Sequence, residues 1–226
     1  THLAATGGWH SAGDYNKLMY EHGDGGVVFA LLTAYGSAPR FFGRHDRNLD
    51  GVADALDEAR WGAAFVAKMQ IPETGGLRNH VNQGPGRNWT KWSAPEVHTD
   101  NTPGTEDDPV IQPGDGNSPL VIAGWARLSS IVNERSRLTR RSQESKFEWR
   151  DHSSHPASRP LSPHPMGRGK GEGNSKESSP ANDYLQRALR LWTHATKEGT
   201  EVGSPYLLIS AIELHRVTKN AVYLEC

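Results

Sequence analysis

The sequence predicts an all-α protein, because its apolar residues recur at helical spacing and no run alternates apolar and polar residues as a strand does. Segment 25–35 is almost continuously apolar over a length typical of a helix. In segment 52–70 one helical face collects five apolar residues, and these are Leu56, Ala59, Ala63, Val66 and Met69. We expect that face to be buried.

Two further helices are indicated by their starts. Ser118-Pro119 and Ser204-Pro205 each precede an apolar segment, and serine before proline is favoured at a helix N-terminus. Between them, segment 183–197 places apolar residues on one stripe, namely Leu185, Ala188, Leu191, Trp192 and Ala195. The chain therefore alternates helices and loops, and the similar starts suggest repeated helical hairpins.

Composition sets limits on partners. The chain has 226 residues, of which 35% are hydrophobic, and this is enough for one core. A net charge of −1 gives no reason to expect a nucleic-acid ligand. No run of about 18 apolar residues occurs, so we expect no membrane span, and no signal peptide is visible. Nothing in the composition decides the oligomeric state.

Segment 136–180 differs from its surroundings in composition. Ser, Arg, Pro, His and Gly dominate it, and it has little to bury, which predicts a disordered insert. An RNA-binding or anionic-surface tether is a less favoured interpretation, because aromatic residues are scarce there. The chain then divides into a helical part at 1–135, the insert at 136–180 and a helical continuation at 181–226.

The stretch 7–17 places a carboxylate between glycines and aromatic rings. Its glycines permit tight turns, so Asp14 can be presented on a rim where Trp9 and Tyr15 offer flat apolar faces. Sugar rings suit that combination. The alternative is that Asp14 only caps a helix beginning at Tyr15, since Asp is a favoured N-cap.

A second motif, at 46–57, has the spacing of a calcium-binding loop. Side-chain oxygens stand at loop positions 1, 3, 5, 9 and 12, with glycine at position 6 and a backbone carbonyl available at position 7. The predicted Ca²⁺ ligands are Asp46, Asn48, Asp50, Val52, Asp54 and Asp57. The alternative is a polar loop whose carboxylates cap the next helix or face its dipole.

A third region, 80–98, carries Trp89 and Trp92 in a predicted loop. These rings line a glucan groove or pin the loop to the core, and the sequence leaves both interpretations open. His80, His98 and Asp100 have no recognised ligand spacing, so solvated or capping roles are favoured over a metal site.

The motifs at 7–17 and 50–62 resemble glycoside hydrolase family 9, the inverting endoglucanases. The resemblance implies the fold of that family, an (α/α)6 toroid of six helical hairpins, here partial and incomplete at its C-terminal end. It implies that Asp14 is the general base and that Ser11 replaces the aspartate that orients water. It also makes five residues candidates for substrate contact, namely Trp9, His10, Tyr15, Trp89 and Trp92.

The resemblance further implies hydrolysis of β-1,4-glucosidic bonds in cellulose or related β-glucans, in a secreted protein. The general acid of the family is a glutamate in an Asn-Glu context, and neither Glu96 nor Glu213 has that context. We therefore expect this chain to be inactive alone. Two alternatives remain open: a non-catalytic module for glycan binding or calcium-dependent interaction, and an unrelated α/α-toroid enzyme that acts on another polysaccharide.

Overall fold

The computed structural model describes residues 6–11, 16–83, 109–148, 179–197 and 204–225. Several residues singled out above lie outside these ranges, and they are Asp14, Tyr15, Trp89, Trp92, Glu96, His98 and Asp100.

Helices dominate the described part of the chain, as predicted. Six α-helices run from α1 to α6 in chain order and are followed by a 3-10 helix at Ala221–Leu224. Their bounds are Asp24–Ser37 for α1, Pro39–Phe42 for α2, Asp54–Met69 for α3, Pro119–Glu148 for α4, Pro180–Lys197 for α5 and Pro205–Thr218 for α6. The all-α class is therefore confirmed.

The hydrophobic core forms where these helices pack. Helix α4 contacts α1, α5 and α6, and α1 also packs against α3. The buried side chains include Trp125 of α4 and Phe65 of α3, each only 1% exposed. All five residues on the predicted apolar face of α3 are buried, as expected from their spacing.

The predicted starts of α4 and α6 are confirmed in position, and Ser204 is the N-cap residue of α6. Both helices begin at the proline that follows the serine. However, Ser204 makes no side-chain cap hydrogen bond, and the hydroxyl of Ser118 donates to Glu21 Oε1 at 3.1 Å. The proline ring, with its fixed φ, marks these helix starts better than the serine does.

Three short strands form an antiparallel sheet that the sequence pattern did not predict. They are β1 at Lys17–Leu18, β2 at His80–Gln83 and β3 at Pro109–Ile111, in the order β1-β2-β3. Leu18 pairs with His80, and Val81 pairs with Ile111. Strands of two to four residues are too short to show a period of two, so the pairing of distant segments determines them.

The prediction of disorder from residue 136 is wrong at its start. Helix α4 is continuous to Glu148, whereas residues 149–178 lie outside the described part of the chain. Segment 136–148 contains neither proline nor glycine, and it carries three Arg and two Glu, which favour helix. No helix in the described ranges combines the length and apolar character needed to cross a bilayer.

Candidate functional site

The first part of the predicted sugar-binding stretch, residues 7–11, lies between α1 and α3, and we call it the signature segment. The backbone N–H of Trp9 donates to Asp24 Oδ1 at 2.8 Å. Lys17 Nζ donates to the carbonyl of Gly7 at 2.7 Å, and Lys68 Nζ donates to the carbonyl of Thr6 at 2.8 Å. Side chains from α1, β1 and α3 therefore hold this backbone in place.

The Trp9 ring anchors the signature segment to α3. Its indole N–H donates to Glu58 Oε1 at 2.9 Å, and its ring meets that of Trp61 edge to face at 5.3 Å. Gly62 lies one turn after Glu58 on α3. A Cβ on Gly62 would lie 2.2 Å from the Trp9 ring, so glycine is needed there. The structure thus gives Trp9 a packing role, and sugar contact by this ring stays a prediction.

Hydrogen bonds join Ser11 to Asn16 and Leu18, described residues on the two sides of Asp14. The backbone N–H of Ser11 donates to the carbonyl of Asn16 at 2.7 Å, and that of Leu18 donates to Ser11 Oγ at 3.2 Å. Asp14 and Tyr15 lie between Ser11 and Asn16, outside the described residues. The alternative of a helix beginning at Tyr15 does not extend to Lys17–Leu18, which form β1.

Gly8 lets the signature segment approach the core closely. Its φ of +72° is rarely adopted by other residues. A Cβ at this position would lie 2.3 Å from the Phe65 ring and 2.8 Å from Asp24 Oδ1. Both the backbone conformation and the space therefore require glycine, in agreement with the tight turn expected from the sequence.

Asp24 is a buried acidic residue beside the signature segment that sequence reasoning missed. It lies in the first turn of α1, is 1% exposed, and its Oδ2 has no hydrogen-bond partner among the described residues. Burial raises its pKa from 3.8 to about 7, against the opposing effects of the Trp9 N–H and the Lys17 ammonium. The only sequence signal was an aspartate among glycines, which is more often a turn.

Two basic groups beside the signature segment have shifted pKa values. Desolvation lowers the pKa of Lys17, whose ammonium lies 5.3 Å from the centroid of the Phe65 ring. Desolvation and, to a smaller extent, the charge of Lys17 lower the pKa of His10. His10 and Ser11 are exposed, so both are accessible to a ligand from solvent.

The predicted calcium loop is held mainly by its own side chains. Asp46 Oδ2 accepts from the N–H of Gly51 at 2.8 Å, and Asp50 Oδ1 accepts from the N–H of Val52 at 2.7 Å. Asn48 Nδ2 donates to Asp50 Oδ2 at 3.3 Å and to Asp57 Oδ2 at 3.2 Å.

The loop matches calcium in the type of its donors, but not in their arrangement. Asp54 accepts from the N–H of Arg47 at 2.8 Å and forms an ion pair with the same residue. The described residues contain no group of three or more His, Cys, Asp or Glu side chains arranged to hold a metal ion. The expected gathering of all six ligands is therefore not seen, and Ca²⁺ binding stays a prediction.

The remaining candidates are separate from the signature segment or outside the described ranges. Glu213 on α6 is buried and faces two arginines, with Oε1 at 3.4 Å from Arg127 and at 3.9 Å from Arg216. His80 is buried in β2, which contradicts the expected solvated role. Trp89 and Trp92 lie outside the described ranges, so their expected sugar contacts stay predictions.

Three solved structures of similar fold are described as endoglucanases or as a family 9 protein. A metagenome-derived glycoside hydrolase family 9 endoglucanase matches with a TM-score of 0.62 at 22% identity, over 100% of this chain and 35% of that chain. A single-mutant thermostable endoglucanase from Alicyclobacillus acidocaldarius matches with 0.61 at 17% identity, over 99% and 36%. A Bacteroides ovatus GH9 protein matches with 0.54 at 18% identity, over 96% and 36%.

These comparisons establish the fold and the family. The chain spans about a third of the length of the similar structures, and at such identities the likeness concerns the fold alone. No curated protein sequence matches the chain. The sequence model of glycosyl hydrolase family 9, however, matches residues 1–226, which is the whole sequence given. The chain therefore belongs to glycosyl hydrolase family 9.

Proposed function

We propose that this chain forms the part of an inverting β-1,4-glucanase that supplies the general base, Asp14. The observation that carries the proposal is the 2.7 Å bond from the Ser11 N–H to the Asn16 carbonyl, which brings together the described residues on either side of Asp14. Fixed flanking residues suit a carboxylate that must face a substrate. In an inverting mechanism that carboxylate removes a proton from the water that attacks the sugar.

Similar proteins support a cellulose-type substrate. Two of the structures compared above are described as endoglucanases, and another similar protein, AaCel9A, was solved with a cellobiose-like isofagomine. We propose that this chain likewise takes cellulose or a related β-glucan. Because such a polymer is too large to diffuse across a membrane, the protein would act outside the cytoplasm.

The second carboxyl group of the mechanism is not supplied by Glu213. An inverting enzyme needs a carboxylic acid about 6.5 to 9.5 Å from the base, positioned to protonate the leaving oxygen. Glu213 is buried, and its Oε1 forms ion pairs with Arg127 and Arg216. We therefore propose that this chain binds glucan but needs an acid from outside its described residues for turnover.

The test measures binding and turnover in parallel. Cellohexaose binding is followed by calorimetry, and hydrolysis of a soluble β-1,4-glucan by release of reducing ends. We expect binding by the 226-residue chain and turnover near background. Turnover that is lost in Asp14→Asn but kept in the control Glu73→Gln, which changes an exposed carboxylate, would assign the base and overturn the inactivity. Absence of binding would overturn the glucanase proposal.

A glycan-binding module is the second candidate. It is favoured by Ser11, which stands where the family has an aspartate and whose hydroxyl accepts from the Leu18 N–H. The same calorimetry with a chelator separates the candidates. Binding that is unchanged in Asp14→Asn and lost with the chelator supports a calcium-dependent module, whereas binding that weakens in Asp14→Asn supports the glucanase.

A further inference from the structure

We infer that Asp24 is the positioning residue of the signature segment, because its buried carboxylate holds the Trp9 backbone and thereby sets the position of Ser11, the last described residue before Asp14. The inference rests on the proposed function for its consequence in glycan binding. Its structural content, the bond between Asp24 and the Trp9 amide, is tested separately below.

Stability alone does not favour a carboxylate at this position. The side chain is 1% exposed, and only Oδ1 accepts a hydrogen bond from another residue, the 2.8 Å bond from Trp9. Oδ2 has no partner among the described residues. Burying a carboxylate with so few partners is costly, and an apolar side chain of similar size would avoid that cost. We therefore assign to this costly carboxylate the role of holding the Trp9 backbone.

Asp24 holds the backbone from the core side, whereas the other contacts hold it at the edges. Lys68 and Lys17 bind the carbonyls of Thr6 and Gly7, which precede Trp9. Trp9 is followed after one residue by Ser11, whose N–H donates to the carbonyl of Asn16. We therefore expect a displacement of the Trp9 amide to move Ser11 as well.

The surroundings of Asp24 make this contact depend on pH. Lys17 on β1 favours the charged carboxylate, as do the N–H groups of Trp9 and of Asp24 itself. Helix α3 presents the apolar Phe65 ring toward Gly8 and carries Lys68, whose charge acts on Lys17. Burial outweighs these effects and raises the pKa of Asp24 to about 7. The bond to Trp9 becomes charge-assisted, and so stronger, as pH rises through that value.

Selective labelling makes the contact visible by NMR. The chain has seven tryptophans, so ¹⁵N-tryptophan labelling gives few signals, and Trp9→Phe identifies the Trp9 amide. We expect this amide proton to shift downfield with a midpoint near the pKa of about 7. Asp24→Asn keeps an acceptor oxygen, so the signal should stay dispersed and lose its titration. His10→Gln is the matched control for the adjacent imidazole and should keep the titration.

Glycan affinity then tests the consequence. We expect Asp24→Asn to bind cellohexaose within about 3-fold of the unmodified chain, whereas Asp24→Leu loses about 10-fold or more, because a bond to a charged group is removed. A Trp9 amide that does not titrate, or that titrates equally in Asp24→Asn, would overturn the inference. So would wild-type affinity in Asp24→Leu.

The two proposals fail in different ways. If the unmodified chain binds no glycan, the proposed function fails, while the titration of the Trp9 amide still decides the role of Asp24. If Asp24→Leu does not fold, the NMR comparison of the unmodified chain with Asp24→Asn alone decides the role of Asp24.

Discussion

The signature segment and the acidic loop 46–57 both contain glycine, but they differ in how they are held. In the signature segment the bonds come from distant parts of the chain, such as Asp24 and Glu58. In loop 46–57 most side-chain bonds join residues two to nine positions apart and are exposed. The first segment therefore depends on the folded core, whereas the second largely shapes itself.

The difference shows which of the two segments has its geometry set by the folded core. Residues held by the core have positions fixed to within the tolerance of close packing, as a catalytic group requires. A loop whose backbone N–H groups donate to its own side chains can keep its shape on many scaffolds. We infer that substitutions in the signature segment affect both folding and ligand binding, and that equivalent substitutions in loop 46–57 have local effects.

The largest effect is expected for alanine in place of glycine in the two segments. Gly8 and Gly51 have similar positive φ values, +72° and +81°, but a Cβ on Gly8 meets Phe65 at 2.3 Å, whereas a Cβ on Gly51 meets nothing within 4 Å. We expect Gly8→Ala to cost about 3 to 5 kcal/mol from strain and overpacking together. Gly51→Ala should cost about 1 to 2 kcal/mol from backbone strain alone.

Urea unfolding of both variants measures the difference. Equal losses of stability would show that backbone strain dominates at both positions and that the contact between Gly8 and Phe65 is unimportant. If Gly8→Ala does not fold, proteolysis of the two variants ranks them, with Gly51→Ala the more resistant.

The second effect is the pH dependence of stability contributed by Asp24. Its pKa is 3.8 when solvated and about 7 in the fold, so the folded state binds the proton more tightly. The contribution of Asp24 to the free energy of unfolding is therefore highest below about pH 4, falls as pH rises to about 7, and is constant above. The fall is between about 2 and 4 kcal/mol.

Asp24→Asn removes this titration. The free energy of unfolding, measured in urea at pH 5 and pH 8, should fall more with pH in the unmodified chain than in the variant. Parallel changes in both proteins would show that Asp24 does not titrate in this range. Asp50→Asn, in the exposed loop, is a control for removal of an acidic group.

The third effect concerns calcium. If loop 46–57 binds Ca²⁺, an ion at ten times its Kd stabilises the fold by about 1.4 kcal/mol and raises Tm by about 3 to 5 °C. Asp46→Asn should abolish the rise, and Asp24→Asn should keep it. A shift below about 1 °C, or an equal shift in Asp46→Asn, would contradict the calcium prediction.

The smallest effect compares one side-chain hydrogen bond in each segment. Trp9→Phe removes the indole N–H that donates to the exposed Glu58 and keeps an aromatic ring near Gly62 and Trp61. We expect a loss of about 1 kcal/mol in thermal unfolding. Asn48→Ala, which removes the exposed bonds to Asp50 and Asp57, should cost about 0.5 kcal/mol. A loss above about 3 kcal/mol for Trp9→Phe would instead indicate that the volume of the ring dominates.

Local patterns predicted the helices well. The apolar face of α3 is buried as its spacing required, and α4 and α6 begin at their prolines. The composition of 136–180 as a whole predicts disorder. Its first part, 136–148, lacks proline and glycine, and it continues α4 to Glu148.

Long-range features could not be predicted in the same way. The residue types at 7–17 pointed to the signature segment, but nothing near Asp24 in sequence shows that it lies beneath Trp9. Likewise, β1 pairs with a strand more than sixty residues away, so its two residues carry no pattern of their own. Burial and pairing across such separations depend on the assembled core.

The close packing of the Trp9 ring on Gly62 has a consequence for protein engineering. Transplanting the glycine-rich motif onto another helical scaffold would require a recipient helix with glycine at the contact and a carboxylate one turn earlier, as Gly62 and Glu58 are arranged here. The smallest portable unit is thus the motif together with α3 and the turn of α1 that carries Asp24, and a graft of the motif alone would lose its orientation.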